Sequence, residues 1–271
     1  MFSDDVWQDG HSRSFLGAAL RMPDLRWMHV FAAGLDDPVF DQFVSRGVRL
    51  TGAPGSTAVP IAHTVIGAII AMCRNSSRYA LAQARHEWTP LDALDLEGRR
   101  MCIVGLGAIG TAVASIAPHL GMHVVGIRRT PTGNEPCPTS RPDRLHELLP
   151  SIDDLVLTAS LTDASRGIIG RAELALLPRG AHLVNVGRGA LVDEPALIAA
   201  LQSGQLGGAA LDVVAAEPLA ADSPLWDLPN VLITPHAAGR TPLGSNRAAA
   251  MFTDNLRRWV HGLPLHHERS A

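Results

Sequence analysis

The chain of 271 residues contains no lysine, so each of its 23 fixed positive side chains is an arginine. Schiff-base chemistry, a phosphate-loop lysine and lysine general acids are thereby excluded. The absence itself reads as a compositional bias toward arginine and alanine rather than a functional device. Cysteine is scarce too: Cys73, Cys102 and Cys137 lie too far apart for a metal or disulfide framework. Cys102, inside an apolar strand, reads as a small buried hydrophobe. There is no excess of either charge, the formal net value being -3, so no basic field points to nucleic acid. No apolar run approaches the roughly 20 residues of a membrane span. The first residues, Met1 to Asp5, lack the basic and apolar regions of a signal peptide. The expectation is a cytoplasmic protein of one large or two smaller domains, with neither nucleic-acid nor membrane partners.

Glycine, by contrast, is placed where it carries information. Arg100–Val104 is a short apolar strand that runs into Gly105-Leu106-Gly107-Ala108-Ile109-Gly110 and then into a helix over Thr111–Leu120. In that setting Gly105 makes the tight turn, Gly107 admits a pyrophosphate and Gly110 lets helix and strand pack closely. The positive N-terminal end of the helix that follows faces the phosphates, and Ala108 and Ile109 between the glycines are candidate cofactor contacts. A lone G-x-G-x-x-G is weak, and a glycine-rich turn without ligand is the alternative. The strand before it, the helix after it and a second apolar strand at His123–Ile127 favour a dinucleotide site.

From Gly98 onward apolar strands alternate with helical segments, as in a parallel sheet. Strands are expected at Met101–Val104, His123–Ile127, Asp154–Thr158, His182–Val186, Ala209–Val213 and Val231–Thr234. Asp193 is placed to cap a helix over Pro195–Gln202 that Gly204 stops, and Pro118 to kink the earlier helix. Upstream, Leu25–Phe31 and Val48–Thr51 read as strands. Val59–Arg85 reads as one long helix buried between two lobes. Arg247–Val260 reads as an amphipathic helix, followed by a disordered tail with His266 and His267. The fold expected is α/β, with a Rossmann-type doubly wound parallel sheet over residues 81–246. A smaller lobe is expected from residues 1–80, joined by 247–271.

Three polar residues follow consecutive strands: Arg188, Glu217 and His236. In a parallel sheet the strand C-termini share the edge on which G-x-G-x-x-G lies. Singly they read as a surface charge, a solvated loop residue and a satisfied histidine; together at the ligand edge they suggest chemistry. Reduction of a 2-keto acid needs a fixed cation for carboxylate and carbonyl, which arginine's planar fork supplies. It also needs an acid for the developing alkoxide, and histidine titrates near working pH. A carboxylate beside it, such as Glu217, would favour the imidazolium and fix the tautomer.

These segments resemble the D-isomer-specific 2-hydroxyacid dehydrogenase family, and among its members the glyoxylate/hydroxypyruvate reductases. The motifs are Val104–Gly110, Leu183–Gly189, Ala210–Val213 with Glu217-Pro218, and Thr234–Gly239, in that order. Upstream, Ala32-Ala33-Gly34-Leu35-Asp36 resembles the family's substrate-carboxylate loop. The resemblance runs from about Leu25 to about Pro264. It implies a catalytic set of Arg188, Glu217 and His236, with the backbone of Ala33, Gly34 and Leu35 holding the substrate carboxylate. It places Asp212 on the nicotinamide carboxamide, Ser160 on the adenosine side, and Val186, Gly187 and Gly239 around the cofactor. It implies a homodimer, with residues 59–85 as a candidate interface, and a flavodoxin-like smaller lobe.

The departures carry expectations of their own. Where NAD-using members have an acid after the second strand, this chain has Arg128-Arg129, which suits a 2′-phosphate and NADP(H) over NAD(H). Both arginines facing solvent, with no preference, is the alternative. Ser160 stands where proline is usual, and His63 where glutamate is common. Set against the family, a first strand–helix unit of the smaller lobe is expected to be missing, which would expose a sheet edge. A start placed too late, a degenerate copy or a covering partner subunit would each explain it. The functional expectation is a small 2-keto acid reductase with glyoxylate or hydroxypyruvate favoured. The alternative is a catalytically impaired dinucleotide-binding sensor or truncated paralogue.

Overall fold

The computed structural model describes Phe2 and residues 11–32, 34–35 and 37–269. The chain forms two compact units, Met1–Pro60 with Gly239–Ala271, and Ile61–Ala238. Most of the expected long helix is thus counted with the second unit, although 1–80 was expected in the first.

In the first unit, β1 (Trp27–His29) pairs in parallel with β2 (Arg49–Thr51). Phe2, Leu16, Met28, Val30, Phe40, Phe43, Val48 and Leu50 close a core over this pair and the helices Ser12–Leu20 and Val39–Val44. The edge of β1 expected to be bare carries Phe2. Its N–H donates 2.8 Å to the His29 carbonyl, and its own carbonyl accepts from Phe31 at 3.0 Å. On the other side Glu268 bridges Thr51 antiparallel, and Arg269 N–H donates 2.8 Å to Leu50. The tail expected to be disordered is therefore held to the sheet, with an Arg49–Glu268 ion pair at 2.6 Å and Asn255 bonded to the His266 backbone. The C-terminal helix begins at Pro242, earlier than the expected Arg247. Thr241 caps it by accepting from Gly244 N–H, and proline suits its first position.

The second unit is a seven-stranded sheet: β3 (Arg100–Val104), β4 (His123–Ile127), β5 (Thr139–Ser140), β6 (Asp154–Leu157), β7 (Ala181–Asn185), β8 (Leu206–Leu211) and β9 (Val231–Ile233). All pairings are parallel, in the order β5-β4-β3-β6-β7-β8-β9. The chain winds outward in both directions from β3 and β6, the doubly wound plan with its switch point there. The six strands expected in this region are all present; β5, a two-residue edge strand, was not foreseen.

Alternation along the strands builds two core layers. Cys102, Val104, Leu155, Leu157, Leu183 and Leu211 point to one face, and Met101, Ile103, Val156, Val184 and Val186 to the other. Each such buried aliphatic side chain contributes about 1.5–3 kcal/mol. Ala62, Val65, Ile66, Ile69 and Cys73 give the helix Ala58–Cys73 an apolar stripe against the second face.

That helix is not continuous to Arg85. It breaks at Asn75, whose φ of 56° is left-handed, and resumes as Ser76–Ala84 at 63°. Asparagine tolerates this conformation, and its side chain donates 2.7 Å to the Asp92 carbonyl. No single helix among the described residues is long and apolar enough to cross a membrane. Pro118 acts as expected: the helix Ala108–Ile116 tightens into a 3-10 turn over Ala117–Leu120.

Candidate active site

The glycines after β3 have distinct steric reasons. Gly105 has φ +105°, and a Cβ there would lie 2.6 Å from the backbone N and Cα of Ala159. A Cβ on Gly110 would strike the Gly105 carbonyl oxygen and come within 2.8 Å of Thr158 Oγ1. Gly107 differs: among the described residues, nothing lies within 4 Å of its would-be Cβ. It is the extended N-cap of the helix Ala108–Ile116, so an anion can approach the positive helix end over bare backbone. A dinucleotide pyrophosphate fits this cradle, with Ala108 and Ile109 opening the helix.

Flanking strand ends supply the other expected contacts. Ser160, beyond β6, is exposed, and its carbonyl accepts from Ser165 Oγ at 2.9 Å. Val186 and Gly187, beyond β7, are buried, and Gly187 would meet the Ala159 carbonyl with any side chain. Beyond β4, Arg128 is half-buried and Arg129 exposed. Arg128 Nη1 lies 3.4 Å from Glu135 Oε1, an acid in the same loop that sequence reasoning passed over.

Arg188, Glu217 and His236 all follow strands of this one unit. Asn185 shapes the first loop: its Oδ1 accepts from Gly187 N–H at 3.1 Å and its Nδ2 donates 3.0 Å to the Arg188 carbonyl. Arg188 is half-buried and donates 2.8 Å from Nη1 to the Gly187 carbonyl. Gly189 sits directly on the Val214 carbonyl, where any Cβ would clash, so the loops bearing Arg188 and Glu217 abut. The second loop is anchored by Glu194, which accepts from Ala215 N–H at 2.9 Å. Glu217 then faces His236 directly, with Oε2 2.8 Å from Nδ1. Both side chains remain open to solvent, 40% and 55% exposed, which leaves Nε2 accessible to a small molecule.

Sequence reasoning did not find what holds His236 there. Its backbone is left-handed at φ 50°, a conformation uncommon outside glycine, and its N–H donates to the carbonyls of Asp212 and Thr234, both at 2.9 Å. Asp212 is 7% exposed, and its Oδ1 accepts from Thr234 Oγ1 at 2.5 Å, Ala237 N–H at 2.8 Å and Ala238 N–H at 3.0 Å. This carboxylate therefore braces the histidine loop. Its partners lie 22 to 26 residues further along the chain, so no local pattern marked it.

The substrate-loop residues belong to the first unit, as does Gly239. Ala33 lies outside the described residues; Gly34 and Leu35 are half-buried, and the Leu35 carbonyl accepts from Arg269 at 2.9 Å. His63 is exposed on its helix, and nothing in the structure explains it.

A second charged cluster, at the opposite ends of the strands, is structural. Arg99 makes paired bonds of 2.8 and 3.0 Å to Asp154, which also meets His182 Nδ1 at 3.1 Å. Burial alone would raise the Asp154 carboxyl; His182 and Arg99 outweigh it and hold it below the usual range.

Comparison with known proteins decides the family. Residues 66–238 match the D-isomer specific 2-hydroxyacid dehydrogenase, NAD binding domain. The chain belongs to the D-isomer specific 2-hydroxyacid dehydrogenase family. Membership makes it an NAD(P)-dependent dehydrogenase. It is 33% identical over 250 residues to the glyoxylate/hydroxypyruvate reductase B of Enterobacter sp. (strain 638), covering 89% of this chain and 77% of that one. The match to the D-3-phosphoglycerate dehydrogenase of Methanocaldococcus jannaschii, at 31% identity, covers 84% of this chain but 44% of that protein. The crystal structure of an NADPH-dependent glyoxylate/hydroxypyruvate reductase from Sinorhizobium meliloti, in complex with NADP and sulfate, superposes with a TM-score of 0.80 at 30% identity. That match covers 92% of this chain and 79% of that one. These similarities establish the dehydrogenase class and leave the 2-hydroxy acid open.

Proposed function

We propose that this protein reduces a small 2-keto acid to its D-2-hydroxy acid, with glyoxylate or hydroxypyruvate as substrate. The observation that carries the reading is the Glu217 Oε2–His236 Nδ1 contact of 2.8 Å, open to solvent on the cofactor-cradle unit. The bound nicotinamide supplies hydride. Arg188 pairs with the substrate carboxylate and polarises the carbonyl. His236 donates its Nε2 proton to the carbonyl oxygen as charge develops there. Glu217, accepting from Nδ1–H, orients the ring and stabilises the imidazolium before that transfer. In the reverse direction the neutral ring accepts the hydroxyl proton at the same atom. The backbone of Ala33, Gly34 and Leu35 is assigned to the substrate carboxylate, and Ser160, Val186, Gly187 and Gly239 to the cofactor, while Asp212 is read as the brace of the His236 loop.

NADP(H) is the preferred cofactor in this reading. Arginine at the end of the second strand of the nucleotide-binding half supports it. So does the name of the Sinorhizobium relative, an NADPH-dependent reductase. A homodimer working in the cytoplasm completes the reading. The helix Ser76–Ala84 buries none of its residues, and its Tyr79 and Leu81, like Trp88 beyond it, are exposed apolar side chains.

The test is oxidation of NADPH and NADH against glyoxylate, hydroxypyruvate, pyruvate and larger 2-keto acids. Turnover on the short acids, faster with NADPH, supports the proposal. Cofactor binding without turnover on any keto acid favours a sensor instead.

A further inference from the structure

The end of β4 holds two opposed charges, and the acid among them has no place in the reading above. After Arg128 the chain loops out and returns as β5, pairing Gly126 with Thr139 and Ile127 with Ser140. Arg128 N–H donates 2.9 Å to the Ser140 carbonyl, so its backbone is fixed to this edge. Within the loop, Glu135 turns its carboxylate inward, leaving its side chain 4% exposed. Oε1 accepts from Thr132 N–H at 2.7 Å and the Thr132 hydroxyl at 2.9 Å, and Oε2 from Gly133 N–H at 2.9 Å. The Thr132 N–H leads the interactions that hold this carboxyl at about 2, so it stays charged at any working pH.

A carboxylate already satisfied by its own turn does not need an arginine. Arg128 nonetheless brings Nη1 to 3.4 Å from Oε1, while its side chain stays 39% exposed. The contact is loose, and it draws on a guanidinium that is still open to a second anion. We infer that Glu135 sets the cofactor discrimination of this chain, as an intramolecular competitor that occupies Arg128 and weakens its pull on a 2′-phosphate. The inference rests on the proposal that Arg128 receives that phosphate. A nucleotide without it gives Glu135 nothing to compete for, so the effect is confined to NADP(H).

The test is equilibrium titration calorimetry of the full chain with NADP+ and with NAD+. Wild type is compared with Glu135→Gln, Arg128→Ala and the double variant. Glutamine keeps a carbonyl acceptor for the turn and removes the charge. The expected result is NADP+ binding tightened about three- to tenfold by Glu135→Gln. That is the range for a part-exposed ion pair acting on a group of nearly two charges. NAD+ binding stays unchanged, and the gain disappears in the Arg128→Ala background. Unchanged or weaker NADP+ binding overturns the inference, as does equal tightening for both nucleotides or a gain that survives without Arg128. An Arg128→Ala variant that binds NADP+ as tightly as wild type refutes the arginine assignment itself, and the inference with it. A wild type that prefers NAD+ contradicts only the proposed preference, and the Glu135→Gln titration still decides the competitor.

Discussion

Replacing Asp212 by alanine separates two roles for the same carboxylate. The resemblance assigns it to the nicotinamide carboxamide; the structure has its Oδ1 accept from Thr234, Ala237 and Ala238 beneath His236. Hydrogen bonds to a charged acceptor are worth about 1.5–3 kcal/mol each. The Ala238 N–H is buried and cannot turn to water, whereas Thr234 is exposed and can. Allowing for that, Asp212→Ala should cost about 3 kcal/mol, or roughly 6–12 °C in melting temperature. The left-handed His236 backbone then relaxes, and an ~1 Å displacement of a catalytic group costs about a hundredfold in rate. Steady-state kinetics should show kcat lowered about a hundredfold, with the cofactor Kd changed less than ~3-fold. Asp212→Asn keeps the acceptor oxygen and loses only charge assistance, so it should stay within about tenfold of wild type. If Asp212→Ala leaves kcat within threefold, or raises the cofactor Kd as much as it lowers kcat, the bracing argument is wrong.

Other perturbations give equally definite readings. Glu217→Gln should lower kcat about 10²- to 10⁴-fold, with cofactor binding retained in a titration. Gly110→Ala should abolish dinucleotide binding or soluble expression, because its methyl would strike the Gly105 carbonyl; normal affinity by calorimetry would contradict this. Burial pushes His29 down from 6.5 to about 4. Below pH 6.5 the unfolded chain therefore takes up a proton that the folded chain refuses until about pH 4. Stability should fall across that window by up to about 3 kcal/mol. Urea unfolding of wild type and His29→Phe at pH 4.5 and 7 checks it, the variant losing less on acidification.

The strands of the larger unit were legible because parallel strands buried on both faces are nearly continuous apolar runs, as Met101–Val104 and Asp154–Leu157 show. The break at Asn75 was not, since a helical pattern on both sides hides one left-handed residue. The start at Pro242 was missed although Thr241-Pro242 is a capping pair; the polar stretch after it carries little apolar periodicity. The docked tail depends on Asn255 and Arg49, remote in sequence from the residues they hold. In the site, Glu217 and His236 could be paired from their positions after β8 and β9, where topology alone brings residues together. The grip of Asp212 on the histidine loop and of Glu135 on its own turn comes from backbone N–H groups. A sequence does not display those groups.

The most direct test of the account is the initial rate of NADPH oxidation with glyoxylate and hydroxypyruvate, for wild type and His236→Ala side by side. The account predicts turnover by wild type and a loss of about 10²- to 10⁴-fold in kcat for the variant, with cofactor still bound. A folded, cofactor-binding wild type that turns over no 2-keto acid, or a variant as fast as wild type, would contradict it.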